Sequence, residues 1–307
     1  MSGKYLLLPV LLLFSLQAQS ASSCDQNGVW LQVLGSGGPE LDDGRASSSY
    51  LIWHDGRARI LVDMGGGSAF RFEQSGAALN DLDLILLTHM HTDHSADLPL
   101  LIKASYFSNR ERNLQLYGPS GNSLMPSTSQ FVQRLLGPDG AFAYLQDYLS
   151  GADSYRLLAD DVAAEGKTKQ RLKIDLPYTI TAVPVHHGPI PALAWRIDID
   201  GQSLVFSGDM SNQNHTLAGL TSGADLLVAH HAIPEQAGEI ALRLHMPPSE
   251  IGRIAAKAGV KQLVLSHRMN RTLGIEASAD REIRRHYQGP LAFADDLQCF
   301  KPGRPAH

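Results

Sequence analysis

Between Thr88 and His94 the chain reads Thr-His-Met-His-Thr-Asp-His, which places three imidazoles and one carboxylate in the six positions from His89 to His94. The segment follows an apolar run, Leu82 to Leu87. A short apolar run of this kind reads as a buried strand, so the fold must end a core strand in a turn crowded with nitrogen and oxygen donors. Buried polar groups are costly unless something satisfies them. Neutral His and ionised Asp suit Zn²⁺ and leave a coordination position for water. The alternative, a histidine-rich surface turn, needs only solvent.

Further donors recur downstream in the same local setting. His187 follows the strand-like stretch Thr179 to Val185, with His186 beside it; Asp209 follows Ser203 to Phe206; His267 follows Gln262 to Leu265. Donors just past strand ends are held by the sheet while facing a common edge, which allows residues distant in sequence to converge on one ion. A lone His after a strand is more often a satisfied structural residue; the series in this order is a stronger signal.

With these residues in place, the chain resembles the metallo-β-lactamase superfamily of binuclear hydrolases from about Val29 to Arg271. The resemblance implies that His89, His91 and His187 hold a first metal, that Asp93, His94 and His267 hold a second, and that Asp209 bridges them. Two Zn²⁺ ions are the implied cofactors, with Mn²⁺ or Fe as substitutes for the same donors. Asp63 has a counterpart that orients metal-binding His, and is expected to do so here. Of the two neighbours, His187 is preferred over His186 because a Gly follows it, and His230 is read as supporting or packing.

The expected fold class is α/β, an αββα sandwich. Strand-like runs at Val29–Leu34, Tyr50–Trp53, Ile60–Asp63, Leu84–Thr88, Leu114–Tyr117, Ile180–Val185, Leu193–Ile199, Leu204–Phe206, Leu226–Ala229 and Gln262–Ser266 are interleaved with helical patterns. The clearest helix is Pro248 to Ala258, with apolar residues at core spacing and Gly259 as its stop. No sequence repeat is visible, although the resemblance implies two ββα halves. Ala152 to Arg171 is polar and lacks a core period, so it reads as a loop or mobile flap. Two Gly-rich stretches, 34–39 and 63–68, match neither a dinucleotide fingerprint nor a P-loop, and read as tight turns beside the metal centre.

Residues 1–23 read as a signal peptide, with Lys4, an apolar core from Tyr5 to Leu16, and small residues after it; the core is too short to span a bilayer. Residues 24–307 then form a single domain in the periplasm or outside the cell, with no stable membrane anchor. Cys24 and Cys299 are the only cysteines; they either pair across the whole domain or remain two unrelated buried thiols. The formal charge of −5 argues against a nucleic-acid partner, which usually meets a basic face. Assembly into a homo-oligomer is compatible with this reading.

The stretch from His245 through Ala255 to His267 resembles the tRNA 3′-processing endonucleases, tRNase Z. Those enzymes pair the His matching His245 with the Glu of a His-Glu-Ala-Thr motif, and here that motif reads His230-His231-Ala232-Ile233. His231 therefore replaces an anionic partner, and Asp93, His245 and His231 become the candidate catalytic side chains. Short bacterial tRNase Z enzymes also carry a long tRNA-gripping arm between the positions of His187 and Asp209, where this chain has 21 residues. The segments 187–196 and 206–209 look like exported members described as arylsulfatases or cyclic-nucleotide phosphodiesterases. The expected function is therefore an exported hydrolase acting on a small anionic phospho- or sulfo-ester, with no nucleic acid involved. A lactonase or β-lactamase is the alternative; a tRNase Z-type nuclease and a non-catalytic metal-binding module rank below it.

Overall fold

A computed structural model describes Cys24 and residues 27–304; the expected signal peptide lies outside the described residues. Among the described residues fourteen strands form two seven-stranded sheets. The strands are β1 (Val29–Gly35), β2 (Ser49–His54), β3 (Arg57–Val62), β4 (Leu84–Leu86), β5 (Leu114–Pro119), β6 (Leu157–Val162), β7 (Gln170–Arg171), β8 (Thr179–His187), β9 (Ile190–Ile199), β10 (Gln202–Phe206), β11 (Leu226–His230), β12 (Leu263–Ser266), β13 (Leu291–Phe293) and β14 (Cys299–Phe300). One sheet runs β14-β1-β2-β3-β4-β5-β6 and the other β7-β8-β9-β10-β11-β12-β13. In both, the first three pairings are antiparallel and the last three parallel. The two halves thus share one topology without a sequence repeat, and β3 and β10 occupy equivalent places.

Three apolar layers follow from this arrangement. Between the sheets, Leu31, Tyr50, Ile52 and Ile60 meet Trp195, Ile197 and Phe206. On one outer face the helix Leu98–Ser105 buries Leu98, Leu101 and Ile102, a spacing that keeps one stripe on the sheet. On the other face the helix Pro248–Ala258 buries Ile251, Ile254 and Ala255 against Val205, Leu227 and Leu265. Pro lies in its first turn, where no amide donor is needed, and Gly259 ends it at φ 64°. The αββα sandwich is the fold, and among the described residues no helix is long and apolar enough to cross a membrane.

One sequence expectation needs correcting. Ala152–Arg171 contains β6 and β7 rather than a flap. β6 is an edge strand whose Asp160 and Asp161 face solvent; charges on an edge discourage pairing with another chain, and they erase the apolar period that reveals a strand. Tyr106 and Phe107 are exposed, with Lys103 lying over both rings.

Cys24 and Cys299 form a disulfide across a sequence separation of 275. It ties the segment before β1 to β14, which pairs with β1 through Leu31–Phe300 and Gln32–Cys299. Cross-links over long loops stabilise mainly by restricting the unfolded chain, typically by about 2–4 kcal/mol. The double variant Cys24→Ser/Cys299→Ser is therefore expected to melt several degrees below the oxidised chain. An unchanged melting temperature would show that strand pairing alone secures β14.

Candidate metal centre

The donors gather at one edge of the sandwich because each lies at or just beyond a strand end. β4 stops at Leu86, and the chain passes through Thr88 and His89 into a single helical turn, Thr92–Ser95, carrying Asp93 and His94. His187 ends β8, Asp209 lies three residues past β10, and His267 follows β12 in a left-handed conformation, φ 52°. Close backbone approach is required twice. A Cβ on Gly65 would lie 2.2 Å from the Asp93 carbonyl oxygen, and one on Gly38 would lie 3.0 Å from the His267 ring. These contacts give the Gly-rich turns their role.

Asp209 is the centre of the cluster. Its Oδ2 lies 4.0 Å from His89 Nε2, 3.8 Å from His94 Nε2, 3.8 Å from His187 Nε2, 3.8 Å from His245 Nδ1 and 3.4 Å from His267 Nε2. His89, His91 and His187 present nitrogens within 4.8 Å of one another. Asp93 Oδ2 lies 3.2 Å from His267 Nε2 and 3.6 Å from His94 Nε2. All seven proposed metal-binding residues therefore meet at one site, with His245 beside them.

Hydrogen bonds decide which nitrogen of each ring is free. His94 Nδ1 donates to Asp63 Oδ2 at 2.8 Å, and His187 Nδ1 donates to the Leu244 carbonyl at 2.9 Å. Thr88 Oγ1 donates to Asp63 Oδ2 and so accepts from His89 Nδ1 at 3.1 Å. In each ring this aims Nε2 at the cluster, where it can present a lone pair to a metal ion. His94 Nε2, His187 Nε2 and His245 Nδ1 face Asp209 and are buried without a hydrogen-bond partner. Inward, unpartnered imidazole nitrogens with carboxylates between them are a donor set that fits divalent metal ions.

The electrostatics agree with that fit. Burial pushes the His89, His91 and His187 imidazoles below their ordinary range, so they are neutral as ligands must be. Burial opposes ionisation of Asp93, yet His94 and His267 outweigh it and hold the carboxyl well below the usual range. Burial likewise opposes charge on Asp209, and His267 and His245 more than compensate. His94 and His267 are the exceptions: burial disfavours both cations, but Asp63 and Asp93 raise His94 to about 9, and Asp209 and the bond to Asp93 raise His267.

Of two neighbouring histidines, His230 has the supporting place expected of it and His231 does not have the place expected. His230, read from sequence as supporting or packing, donates from Nδ1 to Asp209 Oδ1 at 2.7 Å and receives the Tyr50 hydroxyl on Nε2 at 2.9 Å. Both nitrogens are thereby engaged, and its task is to orient Asp209. His231, expected beside His245, has both ring nitrogens buried without a partner and packs its ring against Phe293, with centroids 6.0 Å apart. Burial and nearby Arg268 lower it to about 4. Its placement gives no hydrogen bond to His245. Glu235, the next carboxylate after the motif, is engaged by the Ser249 amide and hydroxyl in the first turn of the helix Pro248–Ala258. His186 turns away to bond Ser211 Oγ at 2.9 Å, which separates it from His187.

Sequence reasoning missed Thr88, Tyr50 and the Leu244 carbonyl as ring-orienting partners. Only Thr88 carried a signal, its place between the strand and the first His.

Residues 42–251 match the family described as the Metallo-beta-lactamase superfamily. A protein of Mycobacterium sp. (strain KMS) named Ribonuclease Z is 31% identical over 290 residues, covering 88% of this chain and 98% of its own length. Among solved structures, a metallo-beta-lactamase fold protein from Bacillus subtilis superposes with TM-score 0.70 at 23% identity, covering 89% of this chain and 99% of its own. Human tRNase Z, short form, superposes with TM-score 0.67 at 18% identity over 89% and 99%.

The curated relatives overturn the expectation of a small phospho- or sulfo-ester hydrolase with no nucleic-acid partner, because they carry the name Ribonuclease Z. The reason for the misreading is physical. Net charge is a sum over the whole chain and does not report the local potential at one sheet edge.

Proposed function

The chain belongs to the metallo-beta-lactamase superfamily, and we propose that it is a metal-dependent ribonuclease hydrolysing phosphodiester bonds in RNA at the edge where His89, His91, Asp93, His94, His187, Asp209 and His267 meet. The observation that carries the reading is this convergence, with unpartnered ring nitrogens of His94, His187 and His245 aimed at a shared carboxylate, in a chain 31% identical to a Ribonuclease Z. His89, His91 and His187 are the first ligand group, and Asp93, His94 and His267 the second, with Asp209 facing both. The imidazole-rich donor set favours Zn²⁺, while the carboxylates also accept Mn²⁺ or Fe. Bound ions supply a water of lowered pKa and polarise a phosphoryl oxygen.

The chain's own groups supply orientation. Asp63, Thr88, Leu244 and His230 fix ring tautomers and the Asp209 carboxylate, so the donors need no rearrangement as charge develops. His245 is lowered to about 4, by burial first, although Asp209 pulls the other way. It is neutral at rest, and its ring is placed to hydrogen-bond a phosphoryl or leaving oxygen. The Cys24–Cys299 disulfide supports placing the protein in an oxidising compartment.

The direct test uses purified chain and an oligoribonucleotide hairpin with a single-stranded 3′ extension. Shortening of the RNA is expected, with loss on chelation and recovery on adding Zn²⁺ or Mn²⁺. RNA left intact by metal-loaded protein that opens a lactone or β-lactam would overturn the reading.

A further inference from the structure

We infer that Asn212 and Glu250 form a positioning pair that sets the spacing between Asp209 and His245; the inference rests on the metal-centre reading above. Asn212 lies three residues after Asp209, and Glu250 five residues after His245. The pair therefore joins the loop that carries one donor to the helix that follows the other. Asn212 is buried, 6% exposed, and sits at φ 58°, a left-handed conformation that Asn and Asp tolerate better than most residues. Its Nδ2 donates to Glu250 Oε1 at 2.6 Å. The carboxylate requires a donor, which fixes the amide's orientation, and Asn212 Oδ1 is buried without a partner.

Ser207 and Asp209 are bonded to β11, and beyond Asp209 the other attachments of this loop run to β8. Ser211 N donates to the His186 carbonyl, Ser211 Oγ bonds His186 Nδ1, and Thr216 Oγ1 donates to the Pro184 carbonyl. Those bonds place Asp209 relative to His187. The bond from Asn212 to Glu250 is the one that reaches the helix after His245, and His245 Nδ1 lies 3.8 Å from Asp209 Oδ2. Glu250 is itself steadied by Arg253 Nε at 2.8 Å. A displacement of about 1 Å at such a site is enough to lose catalytic geometry.

The test is a polarity swap. Asn212→Asp keeps shape and tolerates the left-handed backbone, but sets two carboxylates against each other. Adding Glu250→Gln restores a donor facing an acceptor, in the reverse direction. Zn²⁺ affinity, measured by competition with a chromophoric chelator, is expected to weaken about tenfold or more in N212D. It should return to within about threefold of wild type in N212D/E250Q, with RNA cleavage following the same order. Glu250→Ala, at a half-exposed position, should reproduce the N212D loss and carries the test if N212D does not fold. Wild-type affinity in N212D, or a double variant as weak as the single, would overturn the inference alone. A wild-type chain that holds no metal would sink the metal-centre reading and this inference with it.

Discussion

Asp209→Ala is expected to reduce bound metal from two equivalents to at most one and to slow RNA hydrolysis by at least about 10³-fold. Five imidazoles lie within 4.0 Å of Asp209 Oδ2, four of them drawn from both ligand groups and the fifth His245. Among the described residues no other carboxylate is so placed: Asp93 reaches His267 and His94, and Asp63 is committed to Thr88 and His94 Nδ1. Without Asp209 the two cations lose the anion between them, and like charges at short separation repel strongly in a buried site. The His230 Nδ1 donor also loses its acceptor, which costs about 1–3 kcal/mol for a buried polar group. The melting temperature of the metal-free variant should therefore fall modestly, while metal content and activity fall together. Elemental analysis and cleavage assays on one preparation check this; a variant keeping two ions and more than about a tenth of the activity would show that Asp209 does not join the ligand groups.

Much of this site was legible because its residues are locally conspicuous. Donors just past strand ends, at His89 to His94, His187, Asp209 and His267, stand out against apolar runs whose period declares the strands. The helix Pro248–Ala258 was legible for the same reason, since Pro, spaced apolar residues and Gly259 each mark one part of it. His230 and His231 show where this kind of signal stops. Adjacent in sequence at the end of β11, they differ only in which way the pleat turns them. One points to Asp209 and the other to Phe293, and register on a strand is decided by partners distant in sequence. Tyr50, bonded to His230 across a separation of 180, has no local mark. The equivalence of β3 and β10 was hidden in the same way. Each is followed by a buried Asp, Asp63 or Asp209, yet one orients a ring and the other faces the metal site, so sequence had no reason to match them. The substrate was least legible, because total charge and loop length describe the chain and not the field at one edge.

The second large effect is expected at Asp63, through a tautomer rather than a ligand. Asp63 is fully buried, accepts from the Thr88 amide at 2.7 Å and hydroxyl at 2.8 Å, and accepts from His94 Nδ1 at 2.8 Å. Asp63→Asn keeps the volume, but an amide nitrogen facing His94 must donate. The His94 proton then moves to Nε2, where it occupies the lone pair needed for metal. Affinity at the second ion should fall about 10–100-fold, with hydrolysis falling alongside. The variant should also change the response to pH. In the metal-free wild type His94 is raised to about 9, above an ordinary value near 6.5. The stability that this pair contributes is therefore complete below about pH 6.5 and is lost as pH rises through about 9. His230 and His245, lowered to about 3 and about 4, act in a separate window, destabilising the fold as pH falls below about 6.5. Chelated wild type should thus melt lower at pH 9.5 than at pH 6.5, and Asp63→Asn should flatten that difference. Below pH 9, metal binding by the wild type should release a proton from His94, seen in calorimetry as a dependence on buffer ionisation enthalpy. Equal proton release by Asp63→Asn and wild type would mean that Asp63 does not set the state of His94.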